Sequence, residues 1–493
     1  MTIALLRTAE ADAAKAYEAL EFTAARLGVR IVGFVDLQPS SDRYRGLPIL
    51  DPFSLASAGV ELVIAASSFP DQARDRLVAA GVPPERLLSY ETERDACRAR
   101  FEQSRFLVAR ESVFEDGRLD VRTRAFEMRG LAVEPMPSSI SADRSAQLAE
   151  RAFGALEAAI GRTPLTGPFQ IGRNWGGFLR STRPRYFQAV ADRDARTIES
   201  LLSHCLRNEM TSGILGGREA YDAFAAGGLA NYSGTRLQFN VWRHSLDCLD
   251  PARLASPMVG DPYGVWVDSF IVHPNTFLND TRAALVADLA AGHDRPVIVE
   301  IGGGFGGFGQ QLLAHGLDAV YVDFDLPDNL IVASYLLEAA HPDKRVLRYD
   351  GRAAPLDAAR LDGYDIVLMP HFMLPQLADR VADVLVNFIS LSEMDHETIA
   401  EYLQQIDRVC GGFFYHENLI EHGEAFEAYP VSTFPALRAF RRVYTAPSRW
   451  PFFSPTSPFH CHGEQLFVRR DIETAKYLGA GTPPSARRAR RSA

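Results

Sequence analysis

Short apolar runs alternate with amphipathic segments over two parts of this chain. Near the N-terminus, residues 29–35 (VRIVGFV) and 62–66 (LVIAA) have the continuous apolar character of buried parallel strands, and a helical pattern follows at 71–80. From Val297 onward the same alternation returns. Alternating strands and helices are typical of α/β domains with parallel sheets. We therefore predict a small Rossmann-like α/β domain at residues 1–95 and a larger α/β domain at residues 291–475.

The region between these domains, residues 96–290, has a mostly helical pattern. Apolar residues recur at helical spacing over 142–160, and 194–207 predicts a further helix. At 260–277, turn residues alternate with aromatic residues, which predicts a hairpin that contributes to an active-site wall. The loop at 167–185 combines aromatic, amide and arginine side chains, and this mixture suits either a solvated loop or a site for an anionic ligand.

A glycine-rich turn follows the first strand of the larger domain and is the strongest candidate for a ligand site. The apolar run at 297–299 leads into Glu300, and the turn then contains Gly302, Gly303, Gly304, Gly306, Gly307 and Gly309. Glycines let the backbone approach a ligand, and the first crossover of an open α/β sheet is where nucleotide-like ligands bind. The spacing of Gly304, Gly306 and Gly309 also fits a dinucleotide fingerprint, so spacing alone leaves the ligand open. The carboxylate of Glu300 favours a cationic ligand over a pyrophosphate.

A second strand, at 319–324, ends beside two acidic residues, Asp323 and Asp325. They alternate along the strand with one residue between them, so both side chains point to the same face of the sheet. From this position an acid either contacts a ligand bound at the glycine turn or caps the helix that follows.

The first turn of the N-terminal domain, residues 7–11 (RTAEA), contains no glycine at all. Without glycine the backbone cannot easily approach a pyrophosphate. We therefore predict that this domain is a degenerate scaffold or interaction module, with a nucleotide site as the alternative.

Composition and charge limit the kind of binding partner and the cellular location that we expect for this protein. The net charge of −10 over 493 residues argues against a nucleic-acid partner. The five cysteines form no CxxC pair and the N-terminus lacks the pattern of a signal peptide, so we expect a cytoplasmic protein. No apolar stretch approaches the roughly 18–20 residues that span a bilayer. Residues 479–493 predict a disordered basic tail, and the oligomeric state, including a homo-oligomer, stays open.

Four stretches resemble a known family when they are taken together. They are GDPYGVWVDSFIVHPNTF at 260–277, EIGGGFGGFG at 300–309, DFDLPDNL at 323–330 and SLSEMDHETIAEYLQQI at 390–406. The glycine turn resembles motif I of class I S-adenosylmethionine (SAM)-dependent methyltransferases. The whole of residues 165–470 is similar to the sugar O-methyltransferase family. Two late strands, at 439–444 and 465–470, fit the reversed final hairpin of the class I fold.

The resemblance implies a set of cofactor ligands, with SAM as the cofactor. Glu300 and the glycines Gly302, Gly304 and Gly306 would pass beneath the methionine and ribose parts of SAM. An acid at the end of the second strand binds the ribose hydroxyls in this family, and Asp325 is the first choice with Asp323 the second. An acid at the end of the third strand often accepts a hydrogen bond from the adenine amine, which implicates Asp350.

A sugar hydroxyl is a poor nucleophile at neutral pH, so it needs a general base or a metal ion. Candidate bases lie where strands are predicted to end: His371, Glu393, His396 and His416. His371 is the first choice because it follows the predicted fourth strand, next to the expected methyl position. For each histidine a structural role is an equal alternative. The run His460-Cys461-His462 lacks a spaced partner pair, so no metal ligands are predicted.

We therefore predict a SAM-dependent O-methyltransferase that acts on a sugar hydroxyl of a glycoside, nucleotide-sugar or polysaccharide precursor. The acceptor would be a small molecule or a glycan. The alternatives are an N- or O-methyltransferase of a peptide or other natural product, an NAD(P)-dependent oxidoreductase, and a non-catalytic binding protein with the same fold.

Overall fold

A computed structural model gives the architecture of most of the chain. The residues that it describes are 1–7, 29–38, 41–44, 47–65, 69–89, 128–246, 251–419, 429–448 and 462–472, with isolated positions at 13, 17, 20, 92, 93 and 96. The predicted basic tail at 479–493, most of the helix expected at 9–27, and the pair His460-Cys461 lie outside the described residues.

The N-terminal residues form a six-stranded sheet. Its strands are β1 (Thr2–Leu6), β2 (Arg30–Val35), β3 (Arg43–Tyr44), β4 (Leu47–Leu50), β5 (Leu62–Ala65) and β6 (Leu87–Ser89), in the order β3-β4-β2-β1-β5-β6. Only the β3–β4 pair is antiparallel, and helix α1 (Asp71–Ala79) follows β5. At the carboxyl ends of β1 and β2, Arg7 forms an ion pair with Asp36 at 3.2 Å. A degenerate role for this unit stays a prediction.

The middle region is built from helices and a small antiparallel sheet. Its helices are α2 (Ala142–Ile160), α3 (Arg173–Thr182), α4 (Pro184–Asp192), α5 (Ala195–Ser203) and α6 (Gly217–Leu246), the last of which is kinked at Gly228. The sheet consists of β7 (Met128–Ala132), β8 (Gly264–Val267) and β9 (Phe270–Val272). The hairpin predicted at 260–277 is therefore present as β8 and β9.

The larger domain contains an eight-stranded sheet with helices on both faces. Its strands are β10 (Val297–Ile301), β11 (Val320–Asp325), β12 (Val346–Arg348), β13 (Ile366–Pro370), β14 (Ala382–Phe388), β15 (Cys410–Leu419), β16 (Phe440–Pro447) and β17 (His462–Arg469). Its helices are α7 (Thr276–Ala290), α8 (Gly307–Ala314), α9 (Pro327–Ala340), α10 (Ala358–Leu361) and α11 (His396–Val409). The strand order is β12-β13-β11-β10-β14-β15-β17-β16, and among these strands β17 alone runs opposite to the others. The predicted Rossmann-like parallel sheet with a reversed final hairpin is confirmed.

Apolar side chains cover both faces of this sheet, which explains the unbroken apolar runs of its central strands. On one face, Val299 and Val322 pack with Ile406 of α11. On the other face, Ile298 and Tyr321 pack with helices α7 and α8. Both faces of β10 are thus buried, and only its carboxyl end is left to meet a ligand.

One strand of the sheet was missing from the sequence prediction, and its presence changes the order. Strand β14 was not predicted, yet it pairs with β10 and β15 at the centre of the sheet. The strand predicted as the fourth, β13, pairs instead with β11, and the predicted third strand, β12, forms the outer edge. The end of β13 therefore lies beside β11 and not beside β10, because chain order does not fix the order of parallel strands.

Candidate active site

A cavity of about 800 Å³ opens at the carboxyl ends of β10, β11, β13 and β14. This volume lies within the range of small-molecule sites, and the position is where open α/β sheets bind ligands. The middle region contributes Gln170, Trp175 and the segment Gly213–Leu215 to the wall. Helix α7 contributes Asn279 and Arg282. The cavity is thus shared between the sheet and the helical region.

The glycine turn forms one side of the cavity, and its backbone requires glycine. Gly302, Gly304 and Gly306 have φ values of 78°, 63° and 80°, a left-handed region that other residues rarely adopt. A side chain at Gly302 would also overlap the hydroxyl group of Ser390. Gly302 and Gly304 line the cavity, whereas Gly306 packs against Leu337 and precedes helix α8. The turn therefore presents bare backbone to a ligand at two of the three predicted glycines.

The two acids of β11 have different positions. Asp325 lines the cavity; its Oδ2 accepts a hydrogen bond from Gly304 N at 2.6 Å and its Oδ1 accepts from Leu326 N at 2.5 Å. Asp323 is fully buried beneath the turn, where its Oδ1 accepts from Gly303 N at 3.0 Å. Burial raises the pKa of Asp325 to about 6 and that of Asp323 well above its usual value. Only Asp325 is placed to meet a ligand directly.

Glu300 is the penultimate residue of strand β10 and lines the same cavity. Its carboxyl group accepts a hydrogen bond from the hydroxyl of Tyr321. Burial raises its pKa to about 7, while the Tyr321 hydrogen bond and the charge of Arg282 act in the opposite direction. A cationic ligand group beside Glu300 would favour the ionised carboxylate and so gain attraction.

Asp350, the adenine candidate, does not line the cavity. It follows the edge strand β12, and its side chain is 52 % exposed beside Arg352. Because β13 lies between β12 and β11, the end of β12 is one strand farther from the glycine turn than expected. The structure therefore does not bring Asp350 together with the other predicted cofactor ligands.

His371 lines the cavity, on the side of Asp325. It follows β13, and Pro370 at the end of that strand pairs with Asp325 of β11. Its Nε2 lies 2.8 Å from the carbonyl oxygen of Phe169, and burial lowers its pKa to about 4. His371 is therefore a neutral imidazole that is already engaged with the helical region, on the ribose side of the predicted cofactor site.

Glu393 follows β14, the strand that was not predicted from the sequence. A short 3₁₀ helix, Ser390–Glu393, follows β14 and brings this carboxyl group to the cavity. Burial raises its pKa to about 7, and a hydrogen bond with the side chain of Trp175 partly opposes that shift. A carboxyl group with a pKa near neutrality is suited to exchange a proton at physiological pH.

The other two candidate bases lie outside the lining of this cavity. His416 is 2 % exposed within β15, where its ring stacks on Phe467 at 5.7 Å and burial lowers its pKa to about 4. His396 is exposed at the first turn of α11, with its ring 3.8 Å from that of Tyr429. The geometry of both residues is that of packing rather than of contact with a bound ligand.

Sequence reasoning missed an ion pair at the cavity wall. Arg282 of α7 donates to both carboxylate oxygens of Glu417, at 2.9 and 2.7 Å, and its guanidinium lies 4.2 Å from the ring centre of Phe388. Helix α7 is almost completely buried, so its sequence resembles that of any core helix. Trp175 did carry a signal, since it belongs to the segment 167–185 with its mixture of aromatic and polar residues. The prediction of a loop for that segment was wrong, because most of it forms helix α3 and the start of α4.

Within the described ranges, no group of three or more His, Cys, Asp and Glu side chains could hold a metal ion. No helix in the part of the chain that the structure describes is both long enough and apolar enough to span a bilayer.

No family model and no curated protein matches the chain. Among solved structures it is similar to magnesium protoporphyrin IX methyltransferase from Synechocystis PCC 6803 with bound SAM, at 11% identity and a TM-score of 0.28, over 40% of this chain and 80% of that one. A mitomycin 7-O-methyltransferase has 16% identity and a TM-score of 0.25, over 38% of this chain and 54% of that one, about half its length. A small RNA methyltransferase has 12% identity and a TM-score of 0.28, over 40% and 26%.

Proposed function

We propose that this chain is a SAM-dependent O-methyltransferase whose acceptor is a sugar hydroxyl. The observation that carries the proposal is the arrangement around the glycine turn: bare backbone at Gly302 and Gly304, with the carboxyl groups of Glu300 and Asp325 on the same cavity. The resemblance of these residues to motif I of class I methyltransferases supports the same conclusion.

The residues at the turn fit the chemical groups of SAM. The cofactor carries two cationic groups, an ammonium and a sulfonium, and Glu300 would attract them. Asp325 would accept a hydrogen bond from a ribose hydroxyl, since a carboxylate has about four lone-pair sites and Gly304 N, Leu326 N and Asn329 Nδ2 use three of them. A pyrophosphate would instead meet the carboxyl groups of Glu300 and Asp325, which line the cavity. This repulsion disfavours an NAD(P)-dependent oxidoreductase.

Glu393 is the residue that we assign as general base. When bound, SAM supplies the methyl group from its sulfonium and leaves as a neutral thioether. The acceptor hydroxyl must lose its proton as the new bond to the methyl group forms, and the Glu393 carboxylate would accept that proton. Its pKa of about 7 leaves much of it ionised at neutral pH. His371 is less suitable, because burial lowers its pKa to about 4 and its Nε2 contacts Phe169.

The lining of the cavity supports a polar acceptor such as a sugar. The amide side chains of Gln170, Asn275 and Asn279 lie on it together with the indole ring of Trp175. Sugar hydroxyls can pair with amides, whereas an apolar acceptor would leave these amides without partners when it excludes water. An aromatic ring next to amides also offers a flat apolar surface to the C–H face of a sugar ring.

The test is an acceptor screen with SAM that carries a deuterated methyl group. The purified protein is incubated with simple glycosides, nucleotide sugars and, as the competing class, peptides with free amines and hydroxyls. Mass spectrometry then detects the labelled product. The proposal predicts labelled sugars, and their loss in Glu393→Gln but not in Asp350→Asn. Labelled peptides with no labelled sugar would overturn the sugar assignment.

A further inference from the structure

Arg183 lies at the junction of helices α3 and α4 and is completely buried. Its guanidinium makes four hydrogen bonds, and each acceptor is an uncharged oxygen. Nε and Nη2 donate to Ser212 O at 3.2 and 2.6 Å, Nη1 donates to Asp328 O at 2.9 Å, and Nη2 donates to Asn329 Oδ1 at 3.0 Å. Removing a cation from water costs free energy, so the burial of Arg183 indicates that its hydrogen bonds have a specific structural role.

The bonds of Arg183 join two walls of the cavity. Ser212 precedes the segment Gly213–Leu215, which lines the cavity from the helical region. Within this segment Ile214 faces the glycine turn, since a Cβ atom built at Gly304 would lie 3.2 Å from its side chain. Asn329 belongs to the first turn of α9, directly after the acids of β11. Arg183 therefore holds the covering segment Gly213–Leu215 against the edge that carries Asp325.

Arg183 also fixes the orientation of the Asn329 amide. A guanidinium can only donate hydrogen bonds, so the oxygen of Asn329 must face Arg183. The amide NH₂ then points the other way and donates to Asp325 Oδ1 at 3.1 Å. If the amide turned over, its NH₂ would face the guanidinium and its oxygen would face the carboxylate. Both contacts would then be repulsive.

We infer that Arg183 is a positioning residue of the cofactor site, which holds the covering segment Gly213–Leu215 over the glycine turn and orients Asn329 so that Asp325 is presented to the ribose. This inference rests on the proposed function. The positive charge of Arg183 also acts directly on the site, since it favours the ionised form of the Asp325 carboxyl group. The helical region is thus part of the cofactor site rather than only a support for the acceptor.

Calorimetric titration with S-adenosylhomocysteine tests this role. Arg183→Met removes all four hydrogen bonds, and we expect it to raise the dissociation constant by about tenfold or more, the effect of losing one charged hydrogen bond. Arg183→Lys retains the charge and should lie between Arg183→Met and the wild type. Arg185→Met is the matched control, because Arg185 is exposed on the same helix, and it should bind like the wild type.

The stoichiometry of binding and two further variants distinguish a positioning role of Arg183 from a general loss of folded structure. A folding defect lowers the fraction of protein that binds but leaves the dissociation constant of that fraction unchanged, whereas the inference predicts a changed constant at full stoichiometry. Asn329→Leu should weaken binding as well, and the double variant Arg183→Met/Asn329→Leu should be weakened less than the product of the single effects. If Arg183→Met does not fold, Arg183→Lys and Asn329→Leu carry the test.

The outcomes also distinguish this inference from the proposed function. If the wild type binds S-adenosylhomocysteine and the Arg183 and Asn329 variants bind with the same constant, the inference is wrong and the proposed function stands. If the wild type itself does not bind, the proposed function fails, and the inference fails with it.

Discussion

Replacing Asp325 by asparagine should weaken cofactor binding strongly while leaving the fold in place. The substitution preserves the size of the side chain and removes its charge. It also disturbs the turn, because both carboxylate oxygens accept hydrogen bonds from N–H donors. Oδ2 accepts from Gly304 N, and Oδ1 accepts from Leu326 N and Asn329 Nδ2. An asparagine would turn one of these acceptors into an NH₂ group that faces another donor.

The size of the effect follows from the bonds that are lost. A hydrogen bond to a charged group contributes about 1.5–3 kcal/mol, so the loss of a single bond to a ribose hydroxyl corresponds to about a 10- to 150-fold weaker dissociation constant. The NH₂ group of the new asparagine would face another donor, Gly304 N or Leu326 N, and this repulsion would weaken binding further. We therefore expect the dissociation constant of S-adenosylhomocysteine to rise by about 100-fold in Asp325→Asn.

Isothermal titration of the variant beside Asp350→Asn measures this effect. Asp350 was the other acid predicted to bind the cofactor, but it is about half exposed and does not line the cavity. Its amide variant should bind within about twofold of the wild type, as an ordinary surface substitution does. An Asp325→Asn variant that binds like the wild type, or an Asp350→Asn variant that shows the larger loss, would refute the reasoning about which acid faces the ligand.

Three further predictions concern the same cavity. Gly302→Ala should abolish cofactor binding, measured by the same titration, because its φ of 78° is strained for alanine and its side chain would overlap Ser390; unchanged affinity would contradict the need for glycine. Once an acceptor is identified, the rate of methyl transfer should rise about tenfold between pH 6 and pH 8, because Glu393 loses its proton near pH 7. Glu393→Gln should lower kcat about 100-fold and remove that rise. The folded-state pKa of Glu393 lies above its usual value, so its stabilising contribution is complete below about pH 4.5 and is lost as the pH rises through 7. Glu393→Gln should therefore gain about 2 kcal/mol of unfolding free energy relative to the wild type between pH 5.5 and pH 7.5 in urea titrations of the protein without ligand. An equal response of both proteins would contradict the raised pKa.

The sequence was sufficient where the site is built from consecutive elements. The glycine turn joins β10 to α8 and Asp325 ends the next strand, so pattern and motif together place them at one edge of a parallel sheet. The pattern also predicted the hairpin of β8 and β9, whose strands are neighbours in the chain.

The order of the strands could not be predicted in the same way. No strand was predicted at 382–388, where Asp383 and Asn387 interrupt the apolar run of β14. Both polar groups have structural partners: Asp383 accepts a hydrogen bond from Val297 N, and Asn387 donates to Ile301 O. The missed strand leaves His371 on the Asp325 side of the cavity, and Glu393 follows the end of β14.

The residues that the helical region contributes to the cavity could not be predicted from local sequence patterns either. Arg282 bonds Glu417 across 135 positions, and Arg183 bonds Asn329 across 146 positions. No periodicity or motif links residues so far apart in the chain. An arginine in an apolar helix can be recognised as a candidate partner for a carboxylate, but the identity of that partner requires the folded structure.

The most direct measurement is a titration of the unmodified protein with S-adenosylhomocysteine, NAD⁺ and NADP⁺ under identical conditions. The arrangement of Glu300, Asp323 and Asp325 around the glycine turn predicts saturable one-to-one binding of S-adenosylhomocysteine and no measurable binding of either dinucleotide. Binding of NAD⁺ or NADP⁺ in place of S-adenosylhomocysteine would contradict the assignment of this cavity to SAM, and with it the proposed methyl transfer.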